Sequence, residues 1–135
     1  MTHLLDTSAL LAHYLAEKGA ERVQAMFEDD AVEAGASILS LYEFELRLHQ
    51  LGADAPTRAT ELNRYRALLN EVVDVTEAVR GEAIRLRTSA TAHVAAMDVL
   101  IAATAALKNA TLVHRDPHFA AIPTNLLKQE VLPAK

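Results

Sequence analysis

A chain of 135 residues is long enough to bury a hydrophobic core and short enough to form a single domain. Hydrophobic residues make up 51% and charged residues 23%, a globular rather than a disordered composition, and the absence of cysteine removes disulfides, thiolate nucleophiles and Cys-type zinc sites. A formal net charge of −5 argues against coating nucleic acid through a broadly basic surface, yet it allows an enzyme that gathers carboxylates around a metal ion.

The opening Met1-Thr2-His3-Leu4-Leu5-Asp6 has no basic leader region, and the longest apolar run is bracketed by Asp98 and Lys108. Neither a signal peptide nor a membrane span is expected, and a cytoplasmic location follows as an expectation. Leu4-Leu5 predicts a short buried strand. Asp6-Thr7-Ser8 supplies helix-capping chemistry, so a helix is expected over Ala9 to Glu17 until Gly19 breaks it. Ala20 to Phe27 predicts a second helix, and Glu28-Asp29-Asp30 a solvated turn. Ile38 to Leu51 carries both periodicities. Its shortage of β-branched residues and the stop at Gly52 favour a helix.

After a loop over 52–56, Thr57 to Glu71 predicts an amphipathic helix and Val72 to Val75 a strand. Thr76 starts a helix reaching about Thr88. Asp98 opens one to Lys108 that is apolar nearly all round and belongs inside the protein. Asn109 closes that helix in a left-handed conformation, and Thr111-Leu112-Val113 is a buried strand. Strands alternating with helices imply an α/β fold with a parallel central sheet and helices on both faces, in a single domain. Its expected extent is residues 1–131, followed by a tail over 132–135.

Ligands of open α/β sheets bind at the carboxyl ends of the strands. Leu4-Leu5 runs directly onto Asp6, and Leu112-Val113 reaches Asp116 after two residues. Asp98 at a helix start and Glu43 between Tyr42 and Phe44 are able to join them. Close carboxylates repel by about 4 kcal/mol per pair at ~4 Å and an effective dielectric of ~20. A hard cation such as Mg²⁺ or Mn²⁺ relieves that cost. Each acid also has a plainer reading: Asp6 as a cap, Glu43 as an exposed helix residue, Asp98 as an N-terminal helix charge and Asp116 as a turn residue.

Four segments carry a family resemblance. Leu4-Leu5-Asp6-Thr7-Ser8-Ala9-Leu10-Leu11-Ala12 resembles the opening signature of VapC-type PIN domains. Ser37-Ile38-Leu39-Ser40-Leu41-Tyr42-Glu43 is similar to their second motif, and Met97 through Ala105 to the third. Thr111 through Phe119 resembles the fourth. The motifs stand in the family's order and cover roughly the whole chain.

The resemblance implies a PIN-like fold and a Mg²⁺-dependent endoribonuclease, with Mn²⁺ able to substitute. The chain would be the toxin half of a VapBC-type pair. Asp6, Glu43, Asp98 and Asp116 would form the acidic metal site, with Thr7 or Ser8 supplying a hydroxyl. The implied partners are an RNA substrate of the tRNA or rRNA class, a VapB-type antitoxin and a second copy of the chain. A groove for an antitoxin segment is expected from Leu10, Leu11, Tyr14, Leu15, Met26 and Phe27 on the first two helices.

The chain departs from the family at His118, where many relatives carry another acid. His114, Asp116 and His118 alternate and would share a face on an extended strand as a transition-metal site, but Pro117 is expected to end that strand. His3, His13 and His49 are expected as surface or packing residues. Arg85, Arg87, His93 and Arg115 are the candidate substrate contacts, although Arg80, Arg85 and Arg87 also suit a solvated helix face. The alternative reading is a catalytically degenerate PIN module that acts by binding protein or RNA. A receiver-like module would need paired acids after the first strand, and a haloacid-dehalogenase-type phosphatase an aspartate at position 8, where Ser8 stands.

Overall fold

The first strand sets a two-faced plan. In the computed structural model, which describes residues 1–134, β1 (His3–Leu5) buries Leu4 in one hydrophobic core and Leu5 in another. Successive strand side chains point to opposite faces, so a strand covered on both sides is continuously apolar. β2 (Ala34–Ser37) and β3 (Glu71–Val73) lie on one side of β1. β4 (Thr111–His114) and β5 (Gln129–Val131) lie on the other, giving the order β3-β2-β1-β4-β5 with every pairing parallel. Leu112 of β4 joins the core of Leu4, and Val113 joins that of Leu5.

Four helices supply the Leu5 layer: α1 (Thr7–Tyr14), α2 (Ala20–Glu28), α3 (Ile38–Gln50) and α4 (Ala55–Leu68). Phe44 is fully buried there, edge-on to the rings of Tyr14 and Tyr65. The other layer comes from α5 (Glu77–Ser89) and α6 (Ala96–Leu107), whose Ala102, Ala103 and Ala105 are fully buried and let neighbouring elements approach closely. The expected α/β architecture, with a parallel sheet between helical layers, is thus the one observed.

Several local expectations are corrected. α1 begins at Thr7, not Ala9, because the Asp6 carboxylate accepts the Ala9 N–H and starts the helix there; it stops at Tyr14, before left-handed Ala16 and Gly19. α4 starts at Ala55, inside the expected loop, with Asp54 accepting from Thr57 N–H. It ends at Leu68, so Glu71 belongs to β3, and that strand stops at Val73. α6 starts two residues before Asp98, which places that acid in the first turn. Leu10 and Met26 of the expected antitoxin groove are core residues, whereas Leu11, Tyr14, Leu15 and Phe27 are half-buried. Asn109 does adopt the left-handed conformation.

β2 and β5 were not foreseen. β2 is Ala-Gly-Ala-Ser, too small in side chains to show a hydrophobic pattern, and β5 is a short polar edge. Beyond β5, Leu132 is buried and its N–H bonds the His114 carbonyl at 2.7 Å. Lys135 of the expected tail lies outside the described residues.

Gly35 has a specific steric reason. A Cβ there would stand 2.9 Å from the Glu71 carbonyl oxygen in β3 and 2.3 Å from the Met1 methyl. Met1 is flexible, but the carbonyl is held in the ladder. Gly35→Ala is expected to lower stability by about 1–3 kcal/mol through overpacking, measured by urea unfolding. An unchanged midpoint would show that β2 and β3 separate freely.

Candidate functional site

Ligand crevices of open parallel sheets lie where strand order reverses, outside the carboxyl ends. Here the reversal falls between β1 and β4, because the chain goes from β1 outward to β2 and later returns to β1's other edge. Leu5 pairs with Val113, and the Asp6 N–H bonds the Val113 carbonyl at 3.1 Å. Asp6 therefore emerges directly into this crevice.

Asp6 is only 4% exposed. Its Oδ1 accepts the Ala9 N–H at 2.9 Å and the Ser8 hydroxyl at 2.6 Å. Burial pushes its carboxyl pKa up to about 7. The two hydrogen bonds oppose that rise, while the negative charges of Asp98 and Asp116 add to it. The Ser8 oxygen also accepts the Arg115 N–H at 3.0 Å, tying the exit of β4 to the start of α1. Sequence reading gave Ser8 an assisting hydroxyl but held no sign of this bridge.

Ser37 caps α3 by accepting the Leu39 N–H, and α3 carries Glu43 on its second turn, where the Thr7 hydroxyl donates to it at 2.6 Å. Half-buried Asp98 sits in the first turn of α6, where the helix dipole favours a negative charge. Burial raises its pKa, Asp116 and Glu43 raise it further, and His118 works against them. Asp116 caps a short 3₁₀ turn, Pro117–Ala121, accepting the His118 N–H at 2.9 Å. The His118 ring nitrogen lies 2.7 Å from the same oxygen. The four acids thus act electrostatically on one another, Asp6 with Asp98 and Asp116, and Asp98 with Glu43. That coupling puts them in one region of the fold, but among the described residues no three His, Asp or Glu side chains stand close enough together to hold a metal ion.

The three alternating residues His114, Asp116 and His118 do not share a strand face, as Pro117 leads one to expect. His114 is buried, its Nδ1 accepting the Asp116 N–H and its Nε2 lying 2.8 Å from Gln129 Oε1, while the 3₁₀ turn carries His118 away from the strand path. Burial holds the His114 pKa down. His13 packs among Phe27, Tyr65 and Gln24, as a packing residue should.

The candidate substrate contacts divide. His93 and His118 border one hollow beside the cleft, and Arg87 reaches His93 at 3.4 Å. Arg85 pairs with Glu82 on the same helix. Arg115 turns away from solvent, with its side chain 9% exposed and paired with Glu17, so its side chain acts as a clamp between β4 and the end of α1.

A family model described as the PIN domain matches residues 3–125. The fold is similar to VapBC2 from Rickettsia felis, bound to a DNA fragment from their promoter. The TM-score is 0.78 at 21% identity, covering 98% of this chain and 100% of that one. VapBC-1 from nontypeable Haemophilus influenzae gives 0.76 at 17% identity, covering 97% and 98%. FitAcB from Neisseria gonorrhoeae gives 0.70 at 23%, covering 96% and 97%. No sequence match is found among curated proteins. With a family match running from β1 past the 3₁₀ turn, and with the four acids on the matched elements, the chain belongs to the PIN-domain family.

Proposed function

We propose that this protein is a divalent-metal-dependent endoribonuclease, the toxin of a VapBC-type toxin–antitoxin pair. The observation that carries the reading is a buried carboxyl, Asp6, raised to about 7 by burial and by neighbouring acids at the topological switch point of a PIN fold. A buried acid among acids is an expensive arrangement in a fold with no catalytic use for it.

The donor set fits a hard cation, being all carboxylate and free of cysteine. Asp6, Asp98 and Asp116 would hold Mg²⁺, or Mn²⁺ in its place, with Glu43 bound directly or through water. When bound, the ion supplies activation of water and stabilisation of charge on the phosphate and the leaving oxygen. The protein's own residues prepare the site. Ser8 and the start of α1 orient Asp6, Thr7 restrains Glu43, and the His118 N–H fixes Asp116. Attack of water on phosphorus with cleavage of the P–O3′ bond yields a 5′-phosphate and a 3′-hydroxyl. A tRNA or rRNA loop is the proposed substrate class, with His93 and Arg87 bordering its path.

Toxin–antitoxin complexes among the similar folds support a VapB-type partner. The half-exposed Leu11, Tyr14, Leu15 and Phe27 offer it apolar contacts, and an antitoxin arginine or lysine would suit the acidic cleft. A homodimer and a cytoplasmic location belong to the same reading. Among the described residues no helix is long and apolar enough to cross a membrane. The second reading, a degenerate binding module, draws on the absence of three gathered ligands. Calorimetric titration with Mg²⁺ separates the two: binding heat lost in Asp6→Asn supports the nuclease, and none in the wild type supports the module.

Asp6→Asn keeps an oxygen to cap α1 but removes the charge. In chelator, the wild type should lose stability as pH rises from the ordinary carboxylate value toward 7, because the folded state holds a proton that the unfolded state releases. With a folded pKa of about 7 against 3.8, Asn should be the more stable by up to about 4 kcal/mol at pH 8 and equal near pH 3. Thermal melts across pH check this; parallel curves would contradict it. Added Mg²⁺ should raise the wild-type Tm at pH 8 and leave that of the variant unchanged.

The same substitution should abolish RNA cleavage, read by sequencing RNA ends after induction of each form. Wild-type cleavage by Asp6→Asn would remove that residue from the site.

A further inference from the structure

The aromatic rings of this chain are almost all committed to packing. Tyr14, Phe44 and Tyr65 form one edge-to-face chain, Phe27 packs on His13 and Phe119 on His114. Tyr42 is the exception. It is 61% exposed, the one exposed Phe or Tyr among the described residues, with no ring neighbour there and no hydrogen bond to its hydroxyl. It immediately precedes Glu43 on α3.

The cations show a parallel pattern. Arg22, Arg58, Arg64, Arg80, Arg85 and Arg115 are each paired with a glutamate. Arg66 and Arg47 are exposed and have no ion pair among the described residues, and of the two it is Arg47 that shares α3 with Tyr42 and Glu43. It lies four residues after Glu43, one helical turn along the same flank of α3. Beside Tyr42 is an open hollow of about 320 Å³, bordered also by Glu45, Leu46 and His49. Arg58 also borders it, but Glu45 at 3.2 Å and the Ala53 carbonyl at 2.8 Å already occupy that guanidinium. The result is a largely apolar shelf with an aromatic face, on the helix that also carries the unpaired Arg47.

We propose that Tyr42 and Arg47 form a nucleotide-binding edge beside the acidic cleft, with Tyr42 stacking on an unpaired base and Arg47 taking a backbone phosphate. An aromatic face accepts any base that is not stacked in a helix, and an available guanidinium suits the phosphate beside it. The edge therefore selects single-stranded RNA with little preference of sequence. It also compensates for the cleft, which on a chain of net charge −5 repels the polymer it is to cut. The inference rests on the nuclease reading and adds to it the residues that grip the substrate.

The test uses the full chain carrying Asp6→Asn, in Mg²⁺ buffer, so that binding is read without cleavage. Two probes are compared by fluorescence anisotropy: an oligoadenylate of about twelve nucleotides and an abasic ribose-phosphate oligomer of equal length. Tyr42→Ala should weaken oligoadenylate binding about tenfold and leave the abasic oligomer unaffected, while Tyr42→Phe retains affinity for both. Arg47→Gln should weaken both probes alike and flatten the salt dependence by about 0.7 in the log–log slope. At an exposed position Tyr42→Ala should melt as its parent does, which makes a loss of binding specific.

Unchanged oligoadenylate binding by Tyr42→Ala overturns the proposal, as does equal loss of both probes. If that variant binds RNA normally but alters the sedimentation coefficient or loses a co-expressed protein partner, the edge is a protein contact and the proposal falls. If the parent binds neither probe while the wild type binds Mg²⁺, the RNA reading falls together with this one. Retained RNA binding with no effect of Tyr42 or Arg47 removes this inference alone.

Discussion

A carboxylate buried at the end of the central strand is the constraint on which this structure turns. Asp6 follows β1 with almost no solvent contact, and water that would have stabilised its charge is replaced by the Ala9 N–H and the Ser8 hydroxyl. Those two donors do not fully compensate, and the acid stays partly protonated near neutrality. Asp98 and Asp116 make ionisation harder still. On the proposed reading, a cation would share this site and relieve that repulsion. If the nuclease reading holds, stability has been given up where function needs charge, a common trade in active sites.

The remainder of the fold serves to hold that arrangement. The two apolar residues before Asp6 lock β1 between separate cores, and Leu112 and Val113 do the same for β4. The two strand ends are then fastened from above. Ser8 holds the Arg115 N–H, and the Arg115 side chain pairs with Glu17 beyond the end of α1. One arginine first read as a substrate contact thus stiffens the crevice from behind. With one side chain 9% exposed and the other 21%, this pair is shielded far better than the helix-surface pairs Arg80–Glu77 and Arg85–Glu82, whose arginines are half exposed or more.

Much of this was legible in the sequence where one residue type had one physical use. Leu4-Leu5 before Asp6 is a buried strand ending in a charge, and the all-round apolar run after Asp98 suits only an interior helix. The family motifs named the four acids, and the structure couples Asp6 to Asp98 and Asp116, and Asp98 to Glu43, electrostatically. What escaped is instructive. β2 has no side chain larger than serine, so no hydrophobic period betrays it, and only its position between β1 and β3 makes it a strand. β5 is polar and short, held by pairing with β4. By contrast, Pro117 marked the end of β4 in the sequence, and the 3₁₀ turn that follows breaks the alternation of His114, Asp116 and His118 as that proline implies. Arg115 was misplaced for a different reason: proximity along the chain says nothing about where a long side chain turns.

The most direct measurement is the titration of the Asp6 carboxyl itself, followed by NMR of carbon-labelled aspartate with and without Mg²⁺. In chelator the account predicts half-protonation at pH about 7. With saturating Mg²⁺ it predicts ionisation throughout the range in which the protein stays folded. An ordinary carboxylate titration in chelator, unmoved by Mg²⁺, would contradict it.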